Sequence, residues 1–261
     1  MEAYETLIVE QNAAVLTVCL NRPKANAFNF TMVEELLAIL RQARKEDSIR
    51  CLVLTGGGRF FSSGQDLAIV EEIGTPVPFR YHLQRTYNRI VLEMRCLEKP
   101  IIGAINGTAA GAGLGIALAT DIRWAAESAR FVFGFTGIGL TADSGVSLAL
   151  PLLAGMARAA EFAFLNEPLS AHQALEWGVI SRVLPDEGLE DAVAELAQRL
   201  AAGPTRALGL TKRAFNHAMM PRLAAVLDYE AHLQEIAGRS RDHLEGLKAF
   251  LEKRPADFQG A

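Results

Sequence analysis

Two short glycine-bearing segments, residues 61–67 (FSSGQDL) and 106–115 (NGTAAGAGLG), each follow an apolar strand-like run and lead into a helix-like one. A small-residue turn at a helix start leaves backbone N–H groups without intrahelical acceptors, pointing outward with the positive end of the helix dipole. Two such turns brought together would hold a developing oxyanion between two amides, the geometry that acyl and thioester chemistry needs. A third element is Asp143, in residues 139–145 (GLTADSG) between apolar runs. By local sequence it reads as the N-cap of a helix over 144–150.

Other reactive side chains form no constellation. Cys19, Cys51 and Cys96 stand alone in apolar stretches without metal-ligand or redox spacing, and read as buried small hydrophobes. His82, His172, His217, His232 and His243 show no cluster and read as structural or exposed. The run Gly111-x-Gly113-x-Gly115 places its third glycine one residue too early for a dinucleotide fingerprint, so no nicotinamide cofactor is implied.

The elements that must position these groups alternate between strand and helix patterns. Strands are expected at 14–20, 51–55, 101–105, 122–126 and 131–135. A Thr31/Glu34 capping box is expected to open a helix carrying Met32, Val33, Leu36, Leu37, Leu40 and Ala43 on one face. A long amphipathic stretch from about Phe79 to Leu97 is stopped by Lys99-Pro100, and 111–120 follows the second loop as a helix. Such alternation with short connections argues for an α/β core of repeated crossover units. From about Leu189 the pattern is helical throughout, over 189–201, 204–218, 221–238 and 241–253, so 1–188 reads as the core and 189–261 as a helical appendage.

Of the 261 residues 50% are hydrophobic and 21% charged, ample for a large core. The net charge of −4 supplies no global field for nucleic acid or an anionic membrane, so an anionic ligand must be held locally. No apolar run reaches the roughly 20 residues of a bilayer span, and the first residues lack a signal peptide's pattern, so a cytoplasmic protein is expected.

The ordered set NRPKANA (21–27), FSSGQDL (61–67), Lys99-Pro100, NGTAAGAG (106–113), Asp121-Ile122 and ALEWG (174–178) resembles the crotonase, or enoyl-CoA hydratase/isomerase, superfamily along the whole chain. The resemblance implies a spiral of β-β-α units followed by a C-terminal helical trimerisation region, assembled as a homotrimer or dimer of trimers. It implies an acyl-CoA thioester substrate, with CoA as part of the substrate and no separate cofactor or metal. The matching oxyanion donors are the backbone N–H groups of Gln65 and Ala112. Around them the resemblance places substrate and CoA contacts at Arg22, Lys24, Ala25, Ala27, Ser63, Gly64, Asp66, Leu67, Gly111, Phe135 and Lys253. Asp66 is also expected to cap the helix after its loop.

The family's hydratases use two glutamates, and here those positions are Gly115 and Phe135. Phenylalanine transfers no proton, which turns the reading from hydration to isomerisation. Asp143 matches the acting aspartate of some isomerases and of a dehalogenase in the family, and desolvation between apolar runs would raise its pKa into the range of a proton shuttle. The loop wording and the lost glutamates resemble the phenylacetate-pathway isomerases of 1,2-epoxyphenylacetyl-CoA, although Ala142 and Val146 replace the proline and glycine expected beside the aspartate. The alternatives are a hydratase, a hydrolase or dehalogenase with Asp143 as nucleophile, and a non-catalytic CoA- or RNA-binding scaffold. The dehalogenase pairs its aspartate with a histidine where this chain has Asn88, with His82 two turns earlier. The acidic balance and lack of a basic stripe speak against RNA.

Overall fold

Strands whose residues are apolar on both faces must be covered on both faces, and Cys51–Gly56 and Ile101–Ile105 are of that kind. They form the centre of a six-stranded sheet in the order β1-β2-β3-β5-β7-β10, in a computed structural model that describes residues 4–67 and 78–261. Its strands are Leu7–Asn12 (β1), Val15–Leu20 (β2), Cys51–Gly56 (β3), Ile101–Ile105 (β5), Ile122–Ala126 (β7) and Arg182–Leu184 (β10). All pairs are parallel except the β1–β2 hairpin. A second sheet holds Phe60–Ser62 (β4), Thr108–Ala110 (β6), Arg130–Val132 (β8) and Leu169–Ser170 (β9) in that order.

The spiral follows from this division. Each of the pairs β3/β4, β5/β6 and β7/β8 gives its first strand to the large sheet and its second to the small one, so every turn of chain climbs one strand in both sheets. This is the expected crotonase-like spiral. The C-terminal quarter is helical as expected, with Leu189–Ala202, Thr205–Met219, Leu223–Ala237 and Arg241–Glu252.

Several local expectations are corrected. The first long helix spans Phe30–Lys45 and is capped by Asn29, whose side chain accepts from the Met32 N–H at 2.8 Å, rather than by Thr31. The stretch expected as one helix from 79 to 97 is two, Phe79–Arg85 and Tyr87–Cys96, broken at Thr86 (φ −115°, ψ −101°). The strand expected over 131–135 ends at Val132, and Phe135 opens a single 3₁₀ turn, Thr136–Ile138. Asp143 is not an N-cap: Ser144 (φ +55°) and Gly145 (φ +79°) are both left-handed, so the next helix starts at Val146 with Gly145 as its cap. Of the three cysteines only Cys51 is buried, Cys19 being partly exposed and Cys96 exposed. The helix expected behind Asp66 and most of the irregular segment before Phe79 lie outside the described residues.

Candidate active site

Parallel pairing of β4 with β6, Phe60 opposite Thr108 and Ser62 opposite Ala109, sets the two glycine loops side by side. They meet backbone on backbone. At Gly64 (φ +86°) an added Cβ would lie 2.7 Å from Ala110 O and 3.0 Å from Ala112 N, and at Gly113 it would lie 2.5 Å from Ser62 O. Side chains at either position would drive the loops apart. Three nearby amides are occupied: Gly64 N–H donates to Ser62 Oγ, Asp66 N–H to Phe28 O and Gly111 N–H to Val132 O. Among the described residues, no turn, cap or bridge hydrogen bond uses the N–H of Gln65, or that of Ala112 at the start of the Ala112–Ala119 helix.

Gln65 and Ala112 line a cavity of about 370 Å³. Ser63, Leu67, Gly111, Phe135 and Asp143, all expected at the site, line it too. Asp143 is 6% exposed, and it is the only carboxylate among the described lining residues. Ser144 Oγ donates to its Oδ1 at 2.6 Å and Gln234 Nε2 to its Oδ2 at 2.9 Å. Burial pushes its pKa up to about 6, although both hydrogen bonds favour the charged form.

The remaining wall was not legible as a site. His82, Tyr87, Gln234, His243, Leu247 and Phe250 come from four helices between residues 79 and 252. On one continuous helix His82 and Tyr87, five residues apart, would point about 140° apart. The break at Thr86 lets both reach Gln65 Oε1, with the Tyr87 hydroxyl donating at 2.6 Å and His82 Nε2 at 2.9 Å. Oε1 only accepts, so His82 carries its proton on Nε2, and among the described residues its buried Nδ1 has no partner. Burial lowers His82 to about 4 and raises Tyr87 well above the ordinary phenol range, so both are neutral near pH 7. His243 donates through Nδ1 to Ile138 O at 2.8 Å, and burial lowers its pKa.

The other expected contacts stand beside the cavity rather than in it. Lys24, Ala25 and Asn26 are three consecutive left-handed residues, each costing of order 1 kcal/mol or more. The buried Asn26 side chain holds that turn by donating to Gly57 O and Phe60 O and accepting from Arg22 N–H. The turn abuts the first loop, where Ser63 N–H donates to Ala25 O at 3.0 Å. Arg22 pairs with Asp66 at 2.6 Å and donates to Ala27 O, while Lys24 is exposed at the turn. Lys253 is exposed at the C-terminal cap of Arg241–Glu252, past the Leu247 and Phe250 that reach the cavity. Asn88, at the dehalogenase histidine position, is buried with Nδ2 donating to Leu227 O, and is not a lining residue.

Among the described residues no helix is long and apolar enough to cross a membrane, and no group of three or more His, Cys, Asp or Glu could hold a metal ion. Comparison with known proteins agrees with this geometry. Residues 10–261 match the family Enoyl-CoA hydratase/isomerase. A 1,2-epoxyphenylacetyl-CoA isomerase of Escherichia coli K12 is 45% identical over 259 residues, covering 98% of this chain and 99% of the relative. A Rhodobacter capsulatus protein named "Probable enoyl-CoA hydratase" is 40% identical, covering 99% of each. The crystal structure of an enoyl-CoA hydratase from Mycobacterium avium subsp. paratuberculosis superposes with a TM-score of 0.89 at 31% identity, covering 98% of this chain and all of that one. The spiral fold, together with the family match over residues 10–261 and relatives 40% and 45% identical over almost the full length, places this chain in the enoyl-CoA hydratase/isomerase family.

Proposed function

We propose that the protein is an acyl-CoA isomerase in which Asp143 moves one proton between carbons of the acyl group. One observation carries this reading: buried Asp143 is the only carboxylate among the described residues lining the cavity, and Gln65 and Ala112 line the same cavity. The thioester oxygen accepts from those two N–H groups. Ionised Asp143 takes a proton from carbon, the electron pair spreads onto the thioester oxygen as an enolate, and the same carboxyl returns the proton at another carbon. Removing one such amide typically costs about 10² to 10³ in rate. CoA lies against the Arg22–Ala27 turn and the Ser63–Leu67 loop, with Lys24 and Lys253 as cations for its phosphates and no separate cofactor.

The wall of Phe79, Leu83, Phe135, Leu140, Leu247 and Phe250 suits an aromatic or ring-derived acyl group. This supports ring isomerisation of a 1,2-epoxyphenylacetyl-CoA-like thioester, as in the name of the E. coli relative, with a double-bond shift in an enoyl-CoA as the simpler form of the same chemistry. Hydration needs a second acid–base group, and the pocket offers Phe135 there. A nucleophilic Asp143 lacks the histidine partner, because Asn88 is turned to Leu227 and His82 is engaged with Gln65. Exposed Met156, Phe164 and Phe215 support assembly as a homotrimer or dimer of trimers.

The test is incubation of the purified protein with 2-enoyl, 3-enoyl and 1,2-epoxyphenylacetyl thioesters of CoA, followed by chromatography and mass spectrometry. Conversion to a product of identical mass is expected. A product heavier by one water would overturn the isomerase reading.

A further inference from the structure

The Leu223–Ala237 helix lays two polar side chains, Glu230 and Gln234, against the turn that carries Asp143, and both are almost fully buried. Glu230 accepts from Gly145 N–H at 2.8 Å, from Ser147 N–H at 2.9 Å and from Ser147 Oγ. Gln234 accepts from Thr141 N–H at 2.9 Å through Oε1 and donates through Nε2 to Asp143 Oδ2. The turn is thus pinned on both sides of Asp143, across its two left-handed residues.

The bond to Thr141 settles which way the Gln234 amide points. A backbone N–H can only donate, so the atom facing it is the amide oxygen, and the NH₂ must face Asp143. Asp143 Oδ2 therefore meets a fixed donor. Oδ1 meets the Ser144 hydroxyl, which donates or accepts according to its rotation. The hydroxyl oxygen of a neutral carboxyl is a weaker acceptor than its carbonyl oxygen, so a proton on Oδ2 would weaken the Gln234 bond, while one on Oδ1 needs only a turn of the Ser144 O–H.

We propose that Gln234 is a positioning residue that makes the two oxygens of Asp143 inequivalent, reserving Oδ2 as an acceptor and assigning the mobile proton to Oδ1 beside Ser144. In the transfer the C–H bond breaks, its electron pair stays on the substrate as the enolate, and the proton bonds to Oδ1. On return the Oδ1–H bond breaks and a C–H bond forms at the second carbon. This rests on the isomerase reading for its use, but the proton's location does not depend on turnover. The other titratable groups around Asp143 are Glu230 from the same helix, Tyr87 from Tyr87–Cys96, and His82 and His243 in the cavity wall; burial raises Glu230 to about 7.

The test is infrared titration of protein carrying ¹³C-carboxyl aspartate, with the Asp143 band identified by its loss in Asp143→Asn. In the wild type a neutral carboxyl band is expected to rise with a midpoint near 6, its C=O stretch lowered by the Gln234 hydrogen bond. Gln234→Met is expected to raise that frequency and move the midpoint up by about one pH unit, since a donor to the charged form is lost. Ser144→Ala is expected to leave the C=O frequency unchanged. This second variant decides the matter if the first does not fold. A C=O frequency that responds to Ser144→Ala would place the proton on Oδ2 and overturn the proposal, as would an unmoved band in folded Gln234→Met. If the bands behave as expected while Asp143→Asn keeps full turnover, the isomerase reading fails and the positioning stands.

Discussion

The two halves of the site are built differently. The amide half comes from neighbouring loops of paired strands, with glycines where backbones touch and backbone N–H groups as the proposed donors. The carboxylate half is one turn held from a distance, since Gln234 reaches Asp143 across 91 positions and Glu230 reaches Gly145 across 85. The first half tolerates side-chain change but no added bulk in its loops. The second depends on particular side chains far away in sequence.

The sharpest way to break this comparison is at the loop contact. Gly64→Ala, with its Cβ 2.7 Å from Ala110 O and a left-handed φ, is expected to separate the amides and lower turnover by about 10² to 10³. Steady-state kinetics on the folded variant would show it, and an unchanged rate would mean that the loops need not touch.

Gly115 joins the two halves. An added Cβ there would lie 2.4 Å from Ser144 Cβ and 2.8 Å from Ser144 O, so any side chain displaces the Asp143 turn. The hydratase glutamate at this position and the Asp143 turn therefore exclude one another. Gly115→Ala is expected to lose about 1 to 3 kcal/mol of stability and about 10² in turnover. Denaturant melts and kinetics would check both, and a stable, active variant would remove the incompatibility.

A third effect separates stability from function. Burial raises Asp143 from 3.8 to about 6 in the folded protein. The native state therefore prefers the neutral form: the stability this brings is complete below pH 3.8 and is lost as pH rises through 6. At pH 8 the wild type bears a buried charge that Asp143→Asn lacks, so the variant is expected to be more stable there by up to about 3 kcal/mol. The gap should close toward pH 4, and an equal gap at both pH values would contradict a raised Asp143. The smallest effect is expected from Tyr87→Phe, which leaves Gln65 Oε1 with His82 alone and should cost a few-fold in turnover, near the 1 kcal/mol of one neutral hydrogen bond.

What the sequence disclosed divides along the same line. The glycine loops, the helical C-terminus and Asp143 as a carboxylate among apolar residues were readable, because each is a local pattern. The Asp143 cap was misread, because two left-handed residues delay the helix to Val146. The convergence of His82 and Tyr87 depends on the Thr86 break, which periodicity did not reveal. For Glu230 and Gln234 a signal existed: they fall at 230 and 234 on the stripe shared by Leu227 and Ala231, polar residues on the buried face of an amphipathic helix. Polar residues in such a stripe need buried partners, but the sequence does not say which.

The most direct test of the account is the turnover of Asp143→Asn on a CoA thioester that the wild type converts without change of mass. A nearly isosteric side chain unable to take a proton is expected to lower kcat by about 10² to 10⁴ while KM stays within a few-fold, because the Gln65 and Ala112 amides and the CoA contacts are untouched. Undiminished kcat would remove Asp143 from the chemistry and leave the cavity with no carboxylate among its described lining residues to move the proton.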